Sequence, residues 1–199
     1  MKMYFFIKSG TVNLENYTIK DIPGSSGRLD VISRCILAAI LNERGFENNV
    51  QIWVFFERYG TFVFNPEFLD YDVFPKNEIL LSDFIVSLIK HKVTPLSNQN
   101  NPLKFVKHLN KDIFRVLKDF LLKNYKIFVL KETGKDFFKY SEYIKSQKNV
   151  IFVIGSQTGE IVNSKELNKL NLSNLSLGTQ SYLASSVIRL IKLNLTLLI

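Results

Sequence analysis

Three constellations of residues in this chain could do chemistry. The first is Asp21-Ile22-Pro23-Gly24-Ser25-Ser26-Gly27-Arg28-Leu29-Asp30, which feeds an apolar helical pattern. Gly-Ser-Ser-Gly ahead of a helix leaves unpaired N–H groups at its positive end, and such a turn can hold a phosphate or carboxylate. The same residues also make a plain capping loop, with Ser25 or Ser26 as cap and Asp30 paired to Arg34 one turn on. The second is Ile154-Gly155-Ser156-Gln157-Thr158-Gly159, and the third is Leu175-Ser176-Leu177-Gly178-Thr179-Gln180-Ser181-Tyr182. Each places glycine just after a strand-like run, and Leu130-Lys131-Glu132-Thr133-Gly134-Lys135 repeats the arrangement. Ligands gather outside the carboxyl ends of parallel strands, so three such loops could wall a pocket with main-chain groups. Taken singly, each reads as an ordinary strand-to-helix turn.

Other chemistries find no support. There is no G-x-G-x-x-G after the first strand pattern, no G-x-x-x-x-G-K-[ST], no G-x-S-x-G elbow and no H-E-x-x-H. His91 and His108 lie among lysines at the ends of amphipathic stretches and read as surface histidines, since neither has a visible orienting partner. Two His and the single Cys35 cannot make a Cys/His zinc site or an internal disulfide, so no metal is expected and reducing, cytoplasmic conditions are.

The elements that must position these residues alternate between β and α. Val- and aromatic-rich runs at Lys2–Lys8, Val50–Phe56, Lys126–Lys131 and Asn149–Ile154 predict strands, with a shorter one at Leu172–Leu177 and an edge strand at Thr61–Phe64. Ile52–Phe56 and Val150–Ile154 are continuously apolar, as parallel strands covered on both faces are. Val31, Ile32, Cys35, Ile36, Ala39 and Ile40 recur at helical spacing and predict a helix from about Arg28 to Arg44, stopped by Gly45. Ile79–Lys90, Asp112–Asn124, Phe137–Ser146, Ser164–Leu170 and Tyr182–Leu193 predict further helices, and residues 94–102 a long polar loop that is either a lid or a connector. The expected fold class is α/β, a mainly parallel sheet with helices on both faces, in one domain over residues 1–199.

Composition agrees with that picture. The chain has 199 residues, 46% of them apolar and 22% charged, the balance of a globular protein. Its apolar runs fall short of the roughly 20 residues that span a bilayer, and Met1–Lys8 is too soon broken by charge for a signal peptide. Net charge is +8, which favours a polyanionic partner through counterion release. Lysine-rich composition alone would give the same sum, and lysines such as Lys104, Lys107 and Lys111 equally suit the wet face of a helix.

Taken together, these residues resemble the archaeal tRNA pseudouridine-54 N1-methyltransferases, the TrmY branch of the SPOUT superfamily. The likeness is most specific in Asp21–Cys35 (D-x-P-G-S-S-G-R-L-D-V-I-x-R-C) and Leu130–Asp136 (L-x-E-x-G-K-D). It continues in Phe152–Gly155 with Gly159, in Ser176–Ile188 (S-L-G-x-x-S-Y-L-A-S-x-x-I), and in the Pro75-Lys76-Asn77-Glu78 turn that opens a helix. The resemblance implies a SPOUT-type fold with a C-terminal trefoil knot and a homodimer acting on tRNA. It also implies S-adenosylmethionine held at Leu130 and Gly155, along Leu177, Gly178, Thr179, Gln180, Ser181 and Tyr182, and near Val187. Glycine suits such a place because a ligand can approach the main chain with no Cβ between them.

The resemblance further implies that Arg28 meets an RNA phosphate or the negative charge developing on the uracil ring. Asp30 would be proton acceptor or orienter, and Arg34 its partner or another phosphate contact; an intrahelical ion pair explains the last two equally. Lys104, Lys107 and Lys111 would hold RNA backbone. The family's G-D-H is Gly155-Ser156-Gln157 here, the Pro after S-L-G is Thr179, and the Cys of S-[HQ]-C-I is Val187. No covalent cysteine chemistry can therefore operate at 187. Two rival functions follow: a related methyltransferase acting on pseudouridine in rRNA, and a divergent RNA-binding protein without turnover.

Overall fold

The computed structural model describes residues 1–93, 100–155 and 161–196. Residues 94–99 of the expected polar loop, residues 156–160 (with Ser156, Gln157 and Gly159), residues 197–199 and the side chains at 91–93 lie outside the described residues.

Strand β1 (Lys2–Ser9) is the centre of a seven-stranded mixed sheet. It pairs in parallel with β2 (Val50–Phe56) on one side and β6 (Asn149–Ile154) on the other. Beyond β6 lie β5 (Lys126–Asp136) and β7 (Ser173–Ser176), also parallel. On the other flank β3 (Gly60–Phe64) and β4 (Lys107–Leu109) are antiparallel, which makes the sheet mixed. The order is β4-β3-β2-β1-β6-β5-β7. Thr61–Phe64 is therefore not an edge: the short polar β4, which periodicity could not reveal, covers it.

Alternation along β1 sorts the two cores. Met3, Phe5 and Ile7 face α2 (Leu29–Ile40), α3 (Glu78–Val93), α5 (Phe137–Lys145) and α7 (Ala184–Thr196). Tyr4 and Phe6 face α4 (Ile113–Leu122) and α6 (Lys165–Lys169). Helices thus cover both faces, which is why β1 and β6 need apolar residues at successive positions.

Three boundaries depart from the sequence pattern. Helix α2 ends at Ile40, not near Gly45, because Leu41 turns extended and pairs with Phe46 around a tight Asn42–Gly45 turn. The freed helix end is satisfied from far away: Lys192 Nζ on α7 donates to the carbonyls of Ala38 and Leu41, both at 2.9 Å. The segment Ile22–Ser25 forms a single helical turn, α1, capped by the Asp21 carboxylate. β5 outlasts its apolar run: Leu130 and Lys135 both register with Leu175 of β7, so residues 131–134 bulge between two points on one partner. Gly134 makes the second approach possible, since a Cβ there would lie 2.4 Å from the Leu175 carbonyl carbon.

Candidate functional site

The carboxyl ends of β5, β6 and β7 open into a cavity of about 530 Å³. Leu130, Gly155, Leu177, Gly178, Gln180, Ser181, Tyr182 and Val187 line it, so the glycine-punctuated strand ends do converge. Thr179 is not among the lining residues. Apolar walls come from Ile154, Val162, Leu175, Leu177, Ala184 and Val187, and polar groups from Glu132, Asn163, Gln180 and Ser181. The Ser176 hydroxyl locks the Leu177–Gly178 turn by accepting from the Gly178 N–H and donating to its carbonyl, which stabilises Gly178 at φ 131. Any other residue would be strained there. Val162 and Asn163 had no sequence signal, because they reach the cavity from a stretch with neither periodicity nor a motif.

The cavity fits S-adenosylmethionine. Its volume lies within the range of small-molecule sites, and an apolar wall with a few convergent polar groups suits adenine at one end and an amino-acid arm at the other. Backbone exposed at glycines lets a ligand approach the main chain closely, since a Cβ built on Gly178 would meet nothing nearer than the Tyr182 hydroxyl at 3.9 Å.

The second cluster sits at the same carboxyl edge of the sheet, where the chain leaves β1. Thr11 Oγ1 donates to the Gly27 carbonyl and the Asn13 N–H to the Ser26 carbonyl, tying residues 11–13 to the Gly-rich turn. Gly27 is required: its φ is +62 and a Cβ would strike the Thr11 carbonyl oxygen at 1.9 Å. Arg28 follows, also left-handed at φ 72, the conformation that leads into α2. Strain of this kind persists where surroundings over-determine it. Much of the turn's donor capacity is used internally: the Gly24 N–H goes to Asp21, and the Leu29 N–H to the Ser26 hydroxyl. The capping reading of this turn is therefore the one the geometry favours: Arg28 occupies the N-cap position without a side-chain cap, and the Ser26 hydroxyl serves the first helical N–H.

Two side chains converge on Asp30 through three contacts. Arg28 Nε and Nη2 approach its two oxygens at 3.1 and 3.2 Å, and Arg34 Nη2 adds a contact of 2.7 Å. Arg34 Nε in turn lies 3.0 Å from Glu78 Oε2, a charge contact without an aligned hydrogen bond. The chain Arg28–Asp30–Arg34–Glu78 alternates in sign, with the Asp30 side chain 9% exposed and Arg28 42%. Burial pushes the Asp30 carboxyl up, but hydrogen bonds from Arg28 and Arg34 outweigh it and hold the group below its usual range. Both oxygens accept from arginines, which fixes the Arg28 side chain and leaves the carboxylate a weak base. Glu78 was visible in sequence only as part of a turn; its link to Arg34 joins two helices that no local pattern relates.

The lysines fall elsewhere. Lys107 lies on β4, the strand at the opposite edge from β7. The Lys104 ammonium lies over the Phe105 ring, and Lys111 pairs with Asp119 at 2.7 Å. His108 has a partner after all: its Nε2 lies 3.0 Å from the Tyr59 carbonyl oxygen. Cys35 is fully buried, and burial pushes its thiol up to about 12. Among the described residues no group of His, Cys, Asp or Glu could hold a metal ion, and no helix is long and apolar enough to cross a membrane.

An α/β sheet with a ligand cavity at adjoining parallel strand ends defines the class. A family model described as "Putative SAM-dependent RNA methyltransferase" matches residues 1–197, and the chain belongs to that family. Among curated proteins it is similar to the tRNA (pseudouridine(54)-N(1))-methyltransferase of Thermococcus onnurineus, with 25% identity over 92% of each chain. The proteins of that name from Pyrococcus abyssi and Thermococcus gammatolerans are 26% and 28% identical over 96% and 95% of this chain, and 96% and 94% of their own lengths. Among solved structures, Archaeoglobus fulgidus Nep1 bound to S-adenosylhomocysteine shares the fold, with a TM-score of 0.64 over 98% of this chain and 97% of that one at 13% identity.

Proposed function

We propose that this protein transfers a methyl group from S-adenosylmethionine to N1 of pseudouridine at position 54 of tRNA. The observation that carries the reading is the convergence of Leu130, Gly155, Leu177–Gly178 and Val187 on one cavity in a chain that belongs to an RNA methyltransferase family. The names of the similar archaeal proteins supply the nucleotide.

Bound in the cavity, S-adenosylmethionine would supply an electrophilic methyl group. Main chain at Leu130, Gly155 and Leu177–Tyr182 and the Val187 side chain would hold it, with Gln180 and Ser181 offering polar contacts. Arg28, aimed by Asp30, places a delocalised cation where uracil gains negative charge as N1–H is lost. Arg34 and Glu78 keep Asp30 in place, so these three are positioning residues. The arginines hold the Asp30 carboxyl below its usual range and make it a weak base, so in this reading the N1 proton leaves to solvent. Much of the acceleration then comes from orientation. The target base must be turned outward from its loop to reach such a site.

Membership of the RNA methyltransferase family and the likeness to the archaeal tRNA methyltransferases support a C-terminal trefoil knot. Exposed Tyr182, Leu183 and Leu193, at and before α7, support a homodimer. The whole chain then acts as one methyltransferase domain in the cytoplasm, with Lys104, Lys107 and Lys111 meeting RNA backbone.

Mass spectrometry of pseudouridine-containing tRNA and rRNA incubated with protein and labelled donor tests the reading. One methyl group is expected on the pseudouridine at position 54. A methyl group on rRNA alone replaces the substrate, and no transfer to either RNA refutes the activity.

A further inference from the structure

A second cavity, of about 570 Å³, opens at the carboxyl ends of β1 and β2 and is walled on its far side by the β4–α4 connection. Its lining includes Lys8, Arg58, Tyr59, His108, Lys111 and Phe114, an interleaving of cations and rings that the reaction chemistry does not use. The cations are held at their outer ends by exposed carboxylates. Lys8 meets Glu57 at 3.1 Å, whereas Arg58 reaches Glu15 only at 3.7 Å and keeps 54% of its side chain exposed. Such pairs contribute little to stability and exchange readily for a phosphate.

His108 is built into this groove. A carbonyl can only accept, so the contact with Tyr59 puts a proton on Nε2. One face of the imidazole lies 4.7 Å from the Phe62 ring centre. Gly60 makes the seat: at φ +82 it turns the β2–β3 hairpin, and a Cβ there would lie 2.8 Å from His108 Nε2.

The groove is also fixed relative to the Arg28 cluster. The Leu14 N–H donates to the Tyr59 hydroxyl at 2.9 Å, and the same short strap, residues 11–14, binds the Gly27 turn. Ser9 registers with Phe56 and Ile7 with Ile154, so groove and donor cavity open at one sheet edge. β2 and β6 flank β1, which puts their ends about 10 Å apart.

We propose that this groove binds the RNA segment flanking the target nucleotide, with phosphates at Lys8, Arg58 and Lys111 and one base stacked at His108. The assignment rests on the RNA methyltransferase reading and adds to it a second, sequence-tolerant contact region. Rings and cations are the recurrent means of holding single-stranded RNA, because every base has a π face.

The test is fluorescence anisotropy with pseudouridine-containing tRNA over a salt series, alongside calorimetry with S-adenosylmethionine. The Lys8→Ala/Arg58→Ala double variant should bind tRNA at least about tenfold more weakly at low salt. Its log–log salt slope should fall by about 0.7–0.9 for each phosphate that is no longer neutralised. His108→Ala should lose about fivefold or more, and His108→Phe should recover most of that by restoring the ring. Donor affinity should stay at the wild-type value in all of them, which also shows that they fold. Wild-type tRNA affinity and slope in the double variant would overturn the groove assignment while leaving the methyltransferase reading intact. A wild-type protein that neither binds nor methylates RNA would overturn both.

Discussion

Asp30→Asn separates the orienting role of this carboxylate from any other. In the wild type the side chain sits at 9% exposure between two guanidiniums, accepting contacts of 3.1, 3.2 and 2.7 Å. Breaking a fully buried pair costs about 3–5 kcal/mol. Arg28 and Arg34 are 42% and 35% exposed and can turn to water, so the stability loss should be smaller, about 1–2 kcal/mol at neutral pH. The folded-state carboxyl titrates below its unfolded value, so its stabilisation is full above about pH 4 and disappears as pH falls through the folded pKa. The wild-type advantage over Asp30→Asn in urea unfolding should therefore shrink as pH falls below the ordinary carboxylate range. Turnover should fall about 10- to 100-fold, because a guanidinium free to swing no longer presents its charge to the ring, while donor binding by calorimetry stays unchanged. If the variant turns over at the wild-type rate, or if its stability difference is the same at pH 3 and pH 7, the argument for an orienting carboxylate fails.

Gly134→Ala would push a methyl into the Leu175 main chain, so about 2–3 kcal/mol of stability and at least tenfold in donor affinity should be lost. Hydrogen exchange at Ser173–Ser176 and calorimetry would register both, and unchanged protection there would contradict the close approach. Lys192→Met removes two hydrogen bonds to the end of α2, with Glu47 3.8 Å away, and should lower the urea midpoint by an amount equivalent to about 2 kcal/mol. A midpoint that does not move would mean that water caps α2 equally well. Cys35 should resist thiol reagents at pH 8 in the folded protein and react at the unfolding rate, since burial holds its thiol near 12. Rapid labelling under native conditions would show the site to be open.

Much of the cavity beyond β5, β6 and β7 was legible because it is made of strand ends. Continuous apolar runs at Ile52–Phe56 and Val150–Ile154 announce parallel strands, and glycine directly after such a run marks where a ligand can meet main chain. Leu130, Gly155 and the Leu177–Tyr182 turn followed from that, apart from Thr179, which does not line the cavity. Lys192 read as one more polar residue on an amphipathic helix, because nothing local says that a lysine will cap a helix 154 residues earlier. Glu78 and His108 were hidden for the same reason: their partners, Arg34 and Tyr59, lie on other elements.

The sequence by itself determined most of the strands and helices (though not β4 or α1), where glycine must stand, and that the strand tips could shape a pocket. Those properties depend on periodicities of two and 3.6 residues and on backbone freedom, which are local. Tertiary structure alone decided that β3 would be covered by β4, that β5 would register twice on Leu175, and that Asp30 would be clasped by two arginines. A carboxylate's chemistry depends on the charges and solvent around it, and packing sets both after the chain has closed on itself.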